Sequence, residues 1–272
     1  MTLRSGFVDA WPLERKLTLW LTSLTALTAF NVGLWIWIAR FASLRTPYGE
    51  MQLVLSGLYV SVCGFRALFP RVDLERVCLW DTWLSAILLG RTAATVAELC
   101  FAVQCALCVY RLSEIAGLPL LAAEAHVFVP LVVFAEIVCW YAVLSLNHIG
   151  HAIEESLWAL LMLLLSAAFG TAALATHGLL REMLVLGAGV YAIASGVTFA
   201  FDVRMYLQRW RRHAGSNRLP LVTGLRDIGW RRHPTVAWED WRAEVPWMTL
   251  YFSVGVWTSL AMVLLEWAAT VR

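Results

Sequence analysis

The amino-acid sequence predicts an all-α, polytopic integral membrane protein with seven transmembrane helices. Three observations predict this class. First, 60% of the 272 residues are hydrophobic and only 15% are charged, whereas soluble domains carry about 25% charged residues. Second, apolar segments of the length that spans a bilayer, about 20 residues, recur along the chain, and the mean hydropathy is +0.69. Third, the 15 Trp residues suit a protein with two membrane–water interfaces.

Each of the seven apolar segments is long enough to cross a bilayer as a helix. The first is too long for a cleavable signal peptide and has no clear cleavage site, so we expect it to remain as the first span. Pro70 follows the second segment, and Pro246 lies in the first turn of the last one, where a missing N–H costs nothing. The predicted spans are residues 17–39, 51–69, 82–110, 125–146, 156–176, 183–201 and 245–265.

The basic residues lie mainly on one side of the predicted bundle. With seven spans, fifteen of the 21 Lys and Arg fall on the side of the N-terminus and five on the opposite side. An excess of Lys and Arg marks the cytoplasmic side of a membrane protein. We therefore expect the N-terminus in the cytoplasm, the C-terminus outside, and the chain in the cell inner (plasma) membrane.

The longest extramembrane segment, residues 204–244, forms a cytoplasmic loop that mixes nine Arg with four Trp. This mixture is typical of an interfacial segment on anionic lipid headgroups. Alternatively, its arginines hold a phosphate or carboxylate of a substrate, which makes Asp202, Arg204 and Arg209 candidate substrate-binding residues. Turn signals lie at residues 215–217 and at Pro234.

Glu98 and Glu136 lie deep inside the third and fourth predicted spans. An ionisable group in hydrocarbon is costly and tends to mark function. Arg91 shares a helical face with Glu98, and an ion pair would lower the cost of both charges. A purely structural role for this pair, fixing how helices pack, is the alternative. Two carboxylates at similar depth can bind a cation, share a proton or ligate a metal.

A second polar cluster, His148, His151 and Glu155, follows the fourth predicted span. Its residues fall at i, i+3 and i+7 and therefore share one helical face. Imidazole and carboxylate groups together suit a Zn or Fe site or acid–base catalysis near neutral pH. Asn147 precedes them on the polar stripe of the fourth span and is a candidate substrate-binding residue. The alternative is a solvated turn in which Glu154 and Glu155 favour the start of the fifth helix.

Two further patterns are compatible with redox chemistry. Cys105 and Cys108 form a CxxC motif near the outer end of the third span, which a thiol oxidoreductase would use. A bis-His haem needs opposed histidines on two helices. The candidate haem ligands are His126, His148, His151 and His177.

Three function classes follow from these residues. The favoured one is an integral-membrane enzyme acting on a lipid or other apolar substrate. A proton- or cation-coupled transporter using the two mid-membrane glutamates is the second, although no internal repeat supports it. The third is a non-catalytic or haem- or pigment-binding subunit of a larger membrane complex. No feature indicates a nucleic-acid partner; we expect membrane lipids and an apolar small molecule as partners.

For the enzyme, the candidate residues divide into three sets. We expect catalysis from Glu98, Glu136, His148, His151 and Glu155. Substrate binding is expected from Arg91, Asn147, Asp202, Arg204 and Arg209. A divalent metal, if the enzyme needs one, is expected on His148, His151 and Glu155.

Overall fold

The computed structural model describes residues 15–41, 46–212 and 218–270. Within these residues, six helices are long and apolar enough to cross a membrane. The chain is therefore an all-α, multi-pass membrane protein, as the sequence predicts. The six are α1 (Arg15–Phe41), α2 (Pro47–Leu68), α3 (Ile87–Ala116), α4 (Pro119–Ser145), α5 (His148–Leu174) and α6 (Gly178–Val197), which continues to Arg212.

The remaining elements are short. They are β1 (Arg71–Val72), β2 (Val77–Cys78), a 3₁₀ turn (Trp83–Ser85), α7 (Arg204–Arg212), α8 (Leu221–Trp230), β3 (His233–Pro234), α9 (Trp238–Trp241), α10 (Val245–Leu250), α11 (Val256–Val263) and α12 (Leu265–Thr270). One π-helical segment (Thr198–Val203) joins α6 to α7, and another (Tyr251–Gly255) joins α10 to α11. The predicted turn at residues 215–217 lies outside the described residues, as do some of the basic residues counted above.

The connection between α4 and α5 is much shorter than the sequence predicts. α5 begins at His148 rather than at residue 156, because Asn147 caps it by accepting a hydrogen bond from the backbone N–H of Ile149 at 3.3 Å. Leu146 adopts a left-handed conformation (φ 56°), which ends α4. The predicted His148 to Glu155 cluster therefore lies in the first turns of a helix and not in a solvated turn.

α3 begins later than the sequence predicts, at Ile87 rather than at residue 82. A 3₁₀ turn precedes it, and Ala86 is extended (φ −60°, ψ 134°), which separates the turn from the helix. The helix ends at Gly117, whose left-handed backbone (φ 67°) is one that glycine adopts without strain.

α3 lies at the centre of the bundle. It packs against α2, α4 and α5, and α11 contacts both α2 and α3. Short turns join α3 to α4 and α4 to α5, so these three helices alternate in direction. The start of α3, the end of α4 and the start of α5 therefore lie at the same end of the bundle.

A small three-stranded sheet covers this end, which we call the sheet end. β1 pairs antiparallel with β2, and β2 pairs parallel with β3, so the segment before α3 meets the segment after α8. Arg76, in the segment before α3, also reaches α8 and α4: its side chain donates to Asp227 Oδ2 at 2.9 Å and to the carbonyl oxygen of Val143 at 2.9 Å. The loop that the sequence assigns to the membrane surface is thus partly folded onto the bundle.

α8 lies across the end of α4. Gly224 packs directly against the backbone of Leu144, and Ile228 is buried. The outward face of α8 is exposed and mostly apolar, although it also carries Thr223 and Arg226. Amphipathic helices at the membrane interface place such a face in lipid. The exposed apolar residues are Leu221, Val222, Leu225 and Trp230.

The change Gly224→Ala should destabilise the protein, because the added Cβ would overlap the carbonyl group of Leu144. Overpacking of this kind costs about 1–3 kcal/mol. Thermal unfolding of the purified protein in detergent should show a lower Tm for G224A. Gly229→Ala in the same helix is the matched control, since nothing lies within 4 Å of a Cβ there. An unchanged Tm for G224A would contradict the close packing of α8 on α4.

Candidate active site at the sheet end

Buried charged residues of the described bundle meet between α3, α4 and α5, towards the sheet end. α3 supplies Arg91 and Glu98, α4 supplies Glu136, and α5 supplies Glu154. All four are buried. We call these four residues the Arg91 cluster.

Arg91 is the centre of this cluster. Its Nη2 donates to Glu98 Oε2 at 2.5 Å and to Glu136 Oε1 at 2.9 Å. Its Nη1 lies 3.8 Å from Glu154 Oε1. Hydrogen bonds between ionised partners are about twice as strong as neutral ones. One guanidinium group therefore holds carboxylates from three helices together.

Two neutral side chains orient Glu136. Thr95 donates its hydroxyl proton to Glu136 Oε2 at 2.5 Å and accepts a hydrogen bond from Trp140 Nε1 at 3.0 Å. Thr95 lies one helical turn after Arg91 on α3, and Trp140 one turn after Glu136 on α4. Helical spacing puts Thr95 on the face of α3 that carries Arg91 and puts Trp140 on the face of α4 that carries Glu136. The structure turns those two faces towards each other.

Glu98 is held by the last part of the chain as well as by Arg91. Tyr251 donates its hydroxyl proton to Glu98 Oε1 at 3.1 Å, and Arg66 Nη1 of α2 lies 3.9 Å from the same oxygen. Tyr251 is the first residue of the second π-helical segment, and such segments are frequent at functional sites.

The cluster contains more acids than bases. Among the described side chains, its three carboxylates face two guanidinium groups within 4 Å, those of Arg66 and Arg91. An uncompensated charge in an apolar interior is costly. A proton on one carboxyl group, a protonated His151 or a bound cation would each restore neutrality.

His151 and Glu154 form a close pair beside the cluster. His151 Nδ1 lies 2.5 Å from Glu154 Oε2, and Cys139 Sγ lies 3.9 Å from the same nitrogen. All three residues are buried. An imidazole hydrogen-bonded to a carboxylate is suited to proton transfer, and the same two groups are common metal ligands.

Polar side chains connect this pair to the outside of the bundle. The ring of Tyr206 on α7 lies 5.0 Å from that of His151, and the guanidinium group of Arg209 lies 5.7 Å from the Tyr206 ring. Arg209 also pairs with Glu75 and Glu244, each at 3.1 Å. The Arg209 side chain is 20% exposed, so this series of polar groups reaches the surface at the sheet end.

Apolar side chains cover the opposite side of the cluster. The ring of Phe101, one helical turn beyond Glu98, lies 5.2 Å from Tyr59 and 6.4 Å from Trp158. Beyond this layer, neutral buried side chains bond to one another, namely Gln52, Gln104 and Ser259. Among the described residues, charged and polar side chains therefore lead from the cluster to the sheet end, whereas neutral side chains lie on its other side.

Arg71 is another buried cation near the start of α3. Its guanidinium group fills the space above Gly90, where any Cβ would overlap it. Its polar contacts are long: 3.4 Å to the carbonyl oxygen of Leu84, 3.5 Å to that of Ala86, and 3.5 Å to Asp73 Oδ1. Burial lowers the pKa of Arg71 to about 10, although the Asp73 carboxylate opposes this shift. Arg71 therefore retains donors for an anionic group.

The structure brings four of the predicted site residues together. Glu98 and Glu136 both contact Arg91, and His151 contacts the cluster through Glu154. These residues come from three different helices, which is why their meeting depends on how the helices are rotated about their axes.

The other predicted site residues lie around this group or serve another purpose. Asn147 caps α5, and its Nδ2 donates to the Tyr141 hydroxyl at 3.3 Å. Arg204 is exposed. His148, Glu155 and Arg209 lie around Tyr206. Asp202 lies close enough to Glu155 for the two charges to interact.

Three site residues are absent from the sequence predictions: Cys139, Tyr206 and Tyr251. A fourth, Glu154, was predicted only as a charge near the start of the fifth helix. Helical spacing from His151 allowed either Glu154 or Glu155 to face the site, and packing selects the former. Cys139 lies one turn after Glu136 on the same face of α4, so a local signal existed. The two tyrosines come from segments distant in sequence, and no local pattern indicates them.

The predicted metal ligands His148, His151 and Glu155 do not form a group. His148 and Glu155 lie two helical turns apart, about 10 Å along the axis, and the three residues are not among the groups of donor atoms that lie close together. Among the described residues, two groups have donor atoms within 4.8 Å of one another. They are Cys139, His151 and Glu154, and Glu98, Glu136 and Glu154.

Comparisons with known proteins gave no match for this chain, whether with protein-family models, with curated proteins or with solved structures. The chemistry of the site itself is therefore what indicates the function of this chain.

The change Arg91→Met should destabilise the fold, because three buried carboxylates would lose their shared cation. Breaking a buried ion pair by removing one partner costs about 3–5 kcal/mol. The Tm of purified R91M in detergent should therefore fall well below that of the wild type. R181M, at an exposed position, is the control and should melt like the wild type.

Adding E98Q and E136Q to R91M should recover part of the lost stability, since neutral amides remove two of the unpaired charges. If R91M melts at the wild-type temperature, the central role of Arg91 is refuted.

Proposed function

We propose that this chain is an integral-membrane enzyme that acts on a lipid or other apolar substrate at the sheet end of its bundle. The observation that supports this proposal is that polar side chains lead from the site to the surface on one side of it. They extend from the Arg91 cluster through His151 and Tyr206 to Arg209, whereas aromatic side chains around Phe101 cover the other side.

A buried site whose polar side chains lead to one side of the membrane fits catalysis better than transport. A carrier must expose its site to both sides in turn, whereas an enzyme needs a single entrance. A substrate dissolved in the bilayer would reach the site from the sheet end, beside α7 and α8.

In this proposal the His151–Glu154 pair is the reacting centre, as an acid–base pair or as ligands of a metal. Arg91 orients Glu154 through its second carboxylate oxygen. Glu98 and Glu136 balance the charge of Arg91 and fix its position. Reactive groups need this kind of support to keep a productive geometry.

Arginines near the sheet end would bind the polar head of the substrate. Arg204 and Arg209 are accessible at the surface, and Arg71 keeps buried donors with long contacts. Guanidinium groups recognise phosphate and carboxylate through paired hydrogen bonds. An amphipathic molecule with an anionic head and an apolar tail is the substrate class that suits this arrangement.

We further infer seven spans, with the N-terminus in the cytoplasm of a cell and the bundle in its inner (plasma) membrane. α10, the second π-helical segment and α11 follow one another without a break, and together they approach the length of about 20 residues that spans a bilayer. They also pack against α1, α2 and α3. The excess of basic residues on the side of the sheet end supports a cytoplasmic location for that end.

Reporter fusions test this topology. Alkaline phosphatase folds only after export, so a fusion after Thr270 should be active and a fusion after Arg212 inactive. A cytoplasmic fluorescent reporter at the same positions should give the reverse pattern. Inactive phosphatase at both positions would indicate six spans, and activity only after Arg212 would indicate the opposite orientation.

Comparative lipid profiling tests the enzyme. Membranes from cells that express the wild type should gain or lose at least one apolar species relative to cells without the chain. H151A and E154Q should abolish that difference, because each removes one member of the reacting pair. H126A, an exposed histidine on α4, should behave like the wild type.

Each variant is first checked for membrane insertion and for its Tm, so that loss of fold is not mistaken for loss of activity. If folded H151A and E154Q keep the wild-type profile, the proposed reacting centre is wrong.

A proton- or cation-coupled transporter is the second candidate, favoured by the excess of carboxylates over guanidinium groups around Arg91. Such a protein would bind a proton or cation at Glu98 and Glu136. Proteoliposomes that contain the wild type and a trapped pH-sensitive dye should then show a substrate- or ion-driven pH change that E98Q and E136Q abolish. No difference from protein-free liposomes would exclude proton coupling.

A further inference from the structure

We propose that Cys139, His151 and Glu154 form a three-ligand zinc site. One thiol, one imidazole and one carboxylate have their donor atoms within 4.8 Å of one another. α4 supplies the cysteine, and the first turns of α5 supply the other two ligands. As a metal site it stands on this geometry; its use in catalysis rests on the function proposed above.

The distances fit a single ion. In a tetrahedral zinc site with bonds of about 2.0–2.3 Å, neighbouring ligand atoms lie about 3.3–3.6 Å apart. Cys139 Sγ is 3.9 Å from His151 Nδ1, close to this value. His151 Nδ1 and Glu154 Oε2 are 2.5 Å apart, so the carboxylate would move by about 1 Å, which rotation of a glutamate side chain provides.

The donor chemistry selects zinc. Thiolate, imidazole and carboxylate are the ligands of zinc sites, whereas Mg²⁺ and Ca²⁺ prefer oxygen donors alone. The all-carboxylate group, Glu98, Glu136 and Glu154, does not compete for the ion, because the guanidinium group of Arg91 already lies between its members.

The charges of the ligands and the contact of Glu154 with Arg91 also fit a zinc site. A thiolate and a carboxylate together neutralise a divalent ion in the buried interior, where an unbalanced charge is costly. Glu154 turns one oxygen, Oε1, towards Arg91 and the other, Oε2, towards His151. Outer groups that orient a ligand in this way are a regular feature of metal sites.

Three protein ligands leave one coordination position for water or a substrate atom. Catalytic zinc sites have this ligand number, whereas structural ones are closed by four. Bound zinc would polarise a substrate carbonyl or phosphoryl group, or activate a water molecule, at the sheet end.

Metal analysis of the full-length protein in lipid nanodiscs tests the site. After incubation with Zn²⁺ and removal of free metal, the wild type should retain an equimolar amount of zinc, and zinc should raise its Tm. C139A, H151Q and E154Q should bind zinc at least about tenfold more weakly. C100S and H126A, which change a half-buried cysteine and an exposed histidine, should retain it fully.

Cobalt gives a spectroscopic check that needs no activity. Co²⁺ in the wild type should produce visible absorption together with a thiolate-to-cobalt charge-transfer band in the near ultraviolet, and C139A should lose that band. If C139A does not fold, H151Q and E154Q decide by zinc content. Wild type without retained zinc, or full zinc retention in the folded ligand variants, would overturn the proposal.

The outcomes also separate this inference from the proposed function. If zinc is retained only when all three ligands are present, but the lipid profile does not change, the metal site is supported and the proposed enzymatic function is refuted. A lipid difference that depends on His151 and Glu154 but not on Cys139, in a protein without zinc, would do the reverse.

Discussion

The contact between one arginine and three carboxylates governs the central packing of this bundle. Arg91 of α3 meets Glu98 of its own helix, Glu136 of α4 and Glu154 of α5. Separate burial of any of these charges in an apolar bundle would be costly, and pairing reduces that cost only when the geometry is good. The three helices must therefore keep one relative rotation and one relative height, and this same arrangement brings His151 beside Cys139.

The position of the cluster along the helices links packing to function. The cluster lies towards the sheet end, where Arg76 ties the segment before α3 to α8 and α4. Polar side chains continue from it to the surface at that end, and aromatic side chains close the other direction. The two π-helical segments also supply residues at or near the site. One begins with Tyr251, which donates a hydrogen bond to Glu98, and the other contains Asp202.

Much of the charged centre is visible in the sequence because it depends on local periodicity. Arg91 and Glu98 share a face of one helix, and Glu136 lies at a similar depth on the next. The rotation of α4 against α3 brings them together, and only the possibility of their meeting is predicted from spacing. The choice of Glu154 over Glu155 is not, because both lie about one turn from His151 and the sequence does not show which faces α3. The start of α5 was also misplaced, since Asn147 and Leu146 end the turn by backbone conformation rather than by apolar content.

The sequence by itself determined that the chain is a multi-pass membrane protein and the approximate positions of its long helices, because the length of an apolar segment is a local property that must match the thickness of the bilayer. Only the tertiary structure decided which side chains form the site. That choice depends on how each helix is rotated against its neighbours and on contacts such as those of Tyr251 and Tyr206, which join segments far apart in the chain. No local pattern encodes such rotations, because they result from the packing of the whole bundle.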